Sequence, residues 1–338
     1  MNKNIIRICA LMMVFSLISL TFTACGGKQY EQIGETPVPT TQKPDHIIVG
    51  DEDIAEYNPL SGEKMDANAI KQYIAVMIDG ESEITGLSSP DLIFEGITEG
   101  NKPEMMWVYA DLSKMPVIGS VAKASHNLVE IAGGMGAVLV HNGATNRGAY
   151  AIEQLEMPSV DAEKESSAFT KSENGVNTNG NLIKSIIESK GYNKIATDIS
   201  KKPFNVISGK DLDASGNQAG RCKTVKVFYN TDAYQYFEYN EEIDKYVNEQ
   251  GLEVDNVIVM YCDYETYDGG QDWVLENGEG LWISDGTGKQ INWAKNGAKS
   301  NLSFSNKETG VKLVVNEGTT FICVVPTANR AMTKITTK

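Results

Sequence analysis

GLWISDGTGKQINWA, residues 280–294, decides the architecture of the second half of this 338-residue chain. Two strand-like runs, GLWIS and KQINWA, flank the turn cluster SDGTG. In the second run Ile291 and Trp293 alternate with Gln290 and Asn292, the period of a half-buried strand. A short Gly-containing turn between two such runs predicts a β-hairpin. Working outward, the same signals recur in TVKVFY (224–229), NVIVMYC (256–262), KLVV (312–315) and TTFICVVP (319–326), with NKETG as a further turn. This half reads as hairpins.

The first half reads differently. YIAVMID (73–79) and EMMWVYAD (104–111) are strand runs. Ser89-Pro90-Asp91 has the order of a helix start, with Ser89 as N-cap and Pro90 at the first helical position, and LIFEGI (92–97) is expected to continue that helix. VAKASHNLVEIA (121–132) has apolar residues at helical spacing, and Gly133-Gly134 is expected to end it. AVLVH (137–141) follows as a strand. NLIKSIIESKGY (181–192) is an amphipathic helix closed by Gly191. Polar, turn-rich sequence around 198–222 separates the halves. The expected class is α+β: a mixed α/β amino-terminal domain (57–205) and a smaller, mostly antiparallel β domain (206–338).

The chain carries a formal charge of −15. Phosphate contacts need clustered cations, so nucleic acid is not an expected partner. A polybasic membrane anchor is equally absent from the sequence. The amino terminus supplies another kind of anchor. Lys3 and Arg7 precede the apolar run ICALMMVFSLISLTF (8–22), which is too short for a comfortable membrane span. Phe22-Thr23-Ala24-Cys25 then resembles a bacterial lipobox, in which the chain is cut before a diacylated Cys. The expectation is a signal peptide (1–24) and a lipid-carrying Cys25 bearing fatty acyl chains such as palmitate. A flexible tether follows (25–56), rich in Gly, Pro, Thr and Gln. That places the folded part on the outer face of the cytoplasmic membrane. Cys222, Cys262 and Cys323 remain, either with a Cys262–Cys323 bridge or as buried free thiols.

Five phrases in order carry a resemblance: NPLSG (58–62), IAVMID (74–79), GLSSPDLIFEGITEG (86–100), AVLVHNGA (137–144) and residues 288–326. Together they resemble the YerB-like lipoprotein family, whose function is unknown. The resemblance implies two α+β domains and an extracytoplasmic lipoprotein, and brings no activity. The family phrase with two arginines falls here on Ala122 and Ser125, with Lys123 the nearby cation. Lys lacks Arg's planar fork, so an anion clamp is not expected.

His141 ends a strand, where it serves either as a general base or as a polar residue satisfied by backbone. Glu95 and Glu99, four apart, suit either paired acid–base chemistry or one solvated helix face. The candidate pocket is Glu95, Glu99, Lys123, His141 and Asn142. No cofactor or metal is expected. Asp211–Gly216 opens like a calcium loop, but Cys222 stands where its closing Glu belongs. Asp263, Glu265, Asp268 and Asp272 read as a solvated acidic loop. No nucleophile elbow occurs, and GGMG (133–136) precedes a strand, not a helix. The aromatics of the second half fill a β core or line a sugar-binding surface. The functional expectation is a binding module of the cell envelope, with wall glycan or an envelope protein as partner. The alternatives are a wall-polymer hydrolase or lyase using Glu95, Glu99 and His141, and a solute-binding receptor.

Overall fold

The computed structural model describes residues 46–48, 57–65, 72–80, 84–86, 90–194, 198, 201–208 and 222–337. Cys25, its signal, the tether apart from residues 46–48, the Ser89 cap and the 211–216 loop lie outside the described residues; His46–Ile48, expected as flexible tether, is instead a strand paired antiparallel with residues 206–208, so the fold begins within that stretch. In chain order the elements that matter begin with strands β1 (Ile74–Ile78), β2 (Leu92–Ile97) and β3 (Pro103–Tyr109). Helix α1 (His126–Met135), strand β4 (Val138–His141), helix α2 (Asn146–Gln154), strand β5 (Ser159–Asp161) and helix α3 (Gly180–Lys190) complete the first half.

The second half holds β6 (Cys222–Phe228), β7 (Tyr234–Asn240), β8 (Lys245–Asn248), β9 (Glu253–Val254) and β10 (Asn256–Cys262). A small hairpin, β11 (Tyr264–Tyr267) and β12 (Gly270–Trp273), comes next. Then come β13 (Asn277–Ser284), β14 (Thr287–Ala294), β15 (Ser303–Asn306), β16 (Thr320–Pro326) and β17 (Lys334–Thr337). The first half is thus mixed α/β and the second mostly antiparallel β. The quoted stretch 280–294 forms the β13–β14 hairpin, paired from Asn277↔Ala294 to Ser284↔Thr287.

One ten-stranded sheet crosses both halves in the order β15-β14-β13-β10-β16-β2-β3-β1-β4-β5. Strand β16 joins them, running parallel to β10 on one side and to β2 on the other. A five-stranded antiparallel sheet, β9-β8-β7-β6-β17, is separate. The large sheet buries both faces. One packs Leu92, Phe94, Met106 and Val108 with Leu128, Val129 and Ala132 of α1. The other packs Ile93, Trp107 and Phe321 with Ile183 and Ile187 of α3 and Val225 and Phe237 of the small sheet.

That double burial corrects the reading of LIFEGI. It is strand β2, not a helix, and every residue in it is buried. A strand covered on both faces shows a continuous apolar run, which periodicity alone does not separate from a helix. Asp91 does not face a helix terminus; its carboxylate accepts the Ala110 N–H at 2.7 Å. A second correction concerns Gly133-Gly134, which lie inside α1. The helix stops at Gly136, in the left-handed region at φ 68. A Cβ on Gly134 would lie 2.4 Å from the Ser300 carbonyl oxygen, so this glycine serves close packing. Helix α3 ends at Gly191 (φ 72), and the Asn179 side chain caps its start.

Cys222, Cys262 and Cys323 are free and buried. Cys262 faces the α1 core and Cys323 the opposite one, so the sheet itself stands between them. Among the described residues no helix is long and apolar enough to cross a membrane.

Candidate functional site

The alternation along β2 separates the two glutamates. Glu95 points to the α3 face, into the interface with the small sheet, and is 4% exposed. Its carboxylate accepts from Tyr229 Oη at 2.5 Å and Gln235 Nε2 at 3.1 Å. Burial pushes its pKa up to about 7, against the lowering effect of those two hydrogen bonds. The expected shared helix face for Glu95 and Glu99 is therefore corrected by the strand. Glu99 lies in the turn beyond β2, against other partners.

His141, at the end of β4, has its own surroundings. Its Nδ1 lies 2.7 Å from the Gly143 carbonyl, to which it donates, and 3.8 Å from Asp161 Oδ1. Burial lowers its pKa, outweighing the Gly143 and Asp161 contacts. Lys123 is exposed and Asn142 half-buried. The five candidates do not converge.

A different cluster does. His126, the first residue of α1, faces Glu99 Oε1 with Nδ1 at 3.5 Å, and its Nε2 meets the Asp272 carboxylate. Arg147, in the first turn of α2, donates to the other oxygen of Asp272 at 2.6 Å. Its guanidinium also stacks 4.1 Å above the Tyr267 ring. Ser125 and Glu104 adjoin, with Thr98. Exposure grades inward from the rim: side chains of Arg147 at 41%, Asp272 at 28%, Glu99 at 14% and His126 at 10%.

The β11–β12 hairpin delivers Tyr267 and Asp272. It is stitched down by Asn127, whose amide donates to Gln271 O (2.8 Å) and whose oxygen accepts the Trp273 N–H (3.0 Å). The Trp273 indole donates to Ile97 O at 2.6 Å and lies over Gly96, where a Cβ would sit 2.6 Å from the ring. The spent backbone of β2 thus becomes a seat for the second half's hairpin.

Seven polar atoms here are buried without a well-formed hydrogen bond: Thr98 Oγ1, Glu99 Oε1, Glu104 Oε2, Ser125 Oγ, His126 Nδ1, Tyr267 Oη and Asp272 Oδ1. Ser125 Oγ and Thr98 Oγ1 still lie close enough to Glu104 to lower its pKa, but burial dominates and raises it. Glu99 is displaced downward: burial alone would raise it, and His126, Thr145 and Tyr267 together outweigh that. The seven face one another rather than stand alone: His126 lies against Asp272 and Glu99, Tyr267 against Glu99, and Ser125 and Thr98 against Glu104, so the cluster is a buried polar network with few well-formed hydrogen bonds. Among the described residues no group of three His, Cys, Asp or Glu is placed to hold a metal ion.

The chain matches the models for the N-terminal domain (residues 60–205) and the C-terminal domain (residues 218–322) of the protein family of unknown function DUF3048. The chain belongs to this family. It is also similar to the crystal structure of the YerB protein from Bacillus subtilis, at 20% identity and a TM-score of 0.67, over 83% of this chain and 99% of that one. No curated protein matches. In this DUF3048 chain the cluster straddles the two matched domains. Glu99, Ser125, His126 and Arg147 fall in the first, Tyr267 and Asp272 in the second.

Sequence reasoning missed His126 because it sits in an amphipathic helix stripe and nothing local points to a partner. It also took Asp272 for a solvated residue, whereas Asp272 pairs with both His126 and Arg147. The usable signal was the alternation of YETY and GQDW, which puts Tyr267 and Asp272 on the hairpin face opposite Trp273. Of the aromatics read as core or sugar surface, Tyr229, Phe237, Tyr239, Tyr261, Trp273, Trp282 and Trp293 are buried. Tyr234 and Tyr236 face outward from the small sheet, and Tyr236 borders a cleft of about 650 Å³ there.

Proposed function

We propose that this protein is a lipid-anchored module on the outer face of the bacterial cytoplasmic membrane that binds a polar partner in the envelope, wall glycan first among candidates. The observation that carries the binding reading is the His126 cluster: carboxylates, hydroxyls and an imidazole converge there, several of their polar atoms lacking a well-formed hydrogen bond. An arginine-stacked tyrosine at the rim adds an aromatic edge. Such a mixture suits a hydroxyl-rich ligand, whose groups both donate and accept. Anchoring by Cys25 rests on the lipobox-like sequence, and the absence of nucleophile motifs favours binding over turnover.

Two experiments test the two parts. Cys25→Ser is expected to leave the protein unprocessed or released from the membrane fraction, and mass spectrometry of the wild-type mature terminus to find an acyl mass on Cys25. A mature terminus elsewhere, without acyl mass, would sink the anchor. For the site, co-sedimentation with isolated cell-wall polymer is expected to retain the wild type. His126→Ala and Asp272→Asn should each bind at least about tenfold more weakly, the loss of roughly one charge-assisted hydrogen bond. Equal retention of all three would remove the cluster from binding.

A hydrolytic reading draws on one feature, His126 lying between two carboxylates. Soluble fragments released by the wild type and not by His126→Ala would establish it in place of simple binding.

A further inference from the structure

We propose that the five-stranded sheet is a proton-dependent cover on the large one, seated while Glu95 is neutral and loosened when Glu95 ionises.

The two layers meet largely through apolar side chains. Val225, Phe237 and Tyr246 of the small sheet share one core with Ile93, Val259 and Phe321 of the large one. The Phe237 and Phe321 rings meet edge to face, their centroids 5.1 Å apart. Glu95 is a carboxyl group set into this interface. Its cross-strand neighbours within the large sheet are Cys323 on β16 and Met105 on β3. Its hydrogen bonds run across the interface instead, from Tyr229 at the end of β6 and Gln235 on β7. Tyr229, Gln235 and Cys323 are themselves buried. Gln235 is held in turn by Asn248 of β8, whose amide donates to its Oε1 at 3.5 Å.

A proton on Glu95 completes this network. The acid hydroxyl donates to Tyr229 Oη, and Tyr229 turns its own proton to the Cys323 sulfur within its reach. The other oxygen of Glu95 accepts from Gln235. Without that proton the carboxylate keeps two neutral donors and no cation. The titratable groups around it are Tyr229 after β6, Cys323 on β16 and Tyr264 on β11, and none of them carries positive charge. A charge held at a buried interface by two neutral hydrogen bonds costs free energy that hydration restores. Ionisation therefore favours local openings in which the β6–β7 hairpin lifts and admits water. The sheet stays attached through residues 327–332, which join β16 to β17 and whose Asn329 donates to the Phe228 and Tyr229 carbonyls. Burial pushes the Glu95 carboxyl up to about 7, so seating is tightest below its ordinary 4.5 and weakens as pH rises through about 7.

The test reads two thiols. Cys323 lies on the face that the small sheet covers, and Cys262 lies on the opposite face against α1 as the control. The folded protein is pulse-labelled with N-ethylmaleimide at pH 5 and pH 8, and mass spectrometry assigns the labelled peptides. Each thiol's rate is divided by its rate in urea-unfolded protein at the same pH. Protection of Cys323 should fall by at least about tenfold between the two conditions, with Cys262 unchanged. In Glu95→Gln, Cys323 should be protected equally at both. Equal protection of Cys323 in the wild type at pH 5 and pH 8 would overturn the cover. A parallel fall at Cys262 would overturn it too, since the whole fold would then be opening. So would a full pH response in Glu95→Gln, which would assign the change to another group. The comparison of the two thiols in the wild type needs no variant, so misfolding of Glu95→Gln leaves it intact.

Discussion

Trp273→Ala is expected to destabilise the protein by about 3–5 kcal/mol, the range for deleting a large buried aromatic side chain. Trp273 is 5% exposed, packs on Gly96 and donates its indole N–H to Ile97 O. It is also the element that presses the β11–β12 hairpin onto the end of β2, so its loss should reach function. Wall retention should fall with the variant still folded, because Tyr267 and Asp272 lose their seat opposite His126. Trp273→Phe keeps most of the packing and removes the indole hydrogen bond, which costs about 1–2 kcal/mol. Urea unfolding measures both. A Trp273→Ala loss no larger than that of Trp273→Phe would show that the indole body does not hold the hairpin.

The second large effect concerns pH. The folded pKa of Glu95 is raised from an ordinary 4.5 to about 7, so the native state holds this proton more tightly than the unfolded chain does. Its stabilising contribution is fully present below pH 4.5 and is lost as pH rises through about 7. Glu95→Gln keeps the shape without a titrating group, and its oxygen can still accept from Gln235 while its NH2 replaces the oxygen that faces Tyr229. The stability of Glu95→Gln relative to wild type should therefore climb by about 3 kcal/mol across that window, at roughly 1.4 kcal/mol per pK unit. Asp91 is also raised, to about 6, but it titrates in both proteins and cancels in the difference. Denaturant unfolding of the pair at pH 4.5, 6 and 8 reads the trend. A pH-independent difference would mean that Glu95 titrates in the fold as it does in the unfolded chain. The same variant should bind wall polymer like the wild type, since Glu95 lies on the sheet face away from His126.

Local chemistry made a good part of the fold legible. The 280–294 hairpin carries its own turn and its own period of two, and both survive as β13–β14. Helix α3 closes on Gly191, as its sequence leads one to expect. The strand ending at His141 is equally local. In each case the forces that select the structure act between residues a few positions apart, so a short stretch contains its own answer.

LIFEGI did not contain its answer. Its strand state depends on β16 and β3 lying on either side and on a core above and below. Gly133-Gly134 looked like a stop because their reason for being glycine, the approach of Ser300, lies far along the chain. The site was illegible for the same reason. Asn127 and Trp273, 146 residues apart, bind each other and bring His126 and Asp272 face to face. By itself the sequence determined the α+β class, the family resemblance and the net negative charge, all properties of composition or near neighbours. Only the tertiary structure decided that Glu95 is interior, that His141 stands apart, and that His126 is the histidine among carboxylates. Side-chain alternation on a strand and long-range packing determine which groups meet, and neither is written in any one segment.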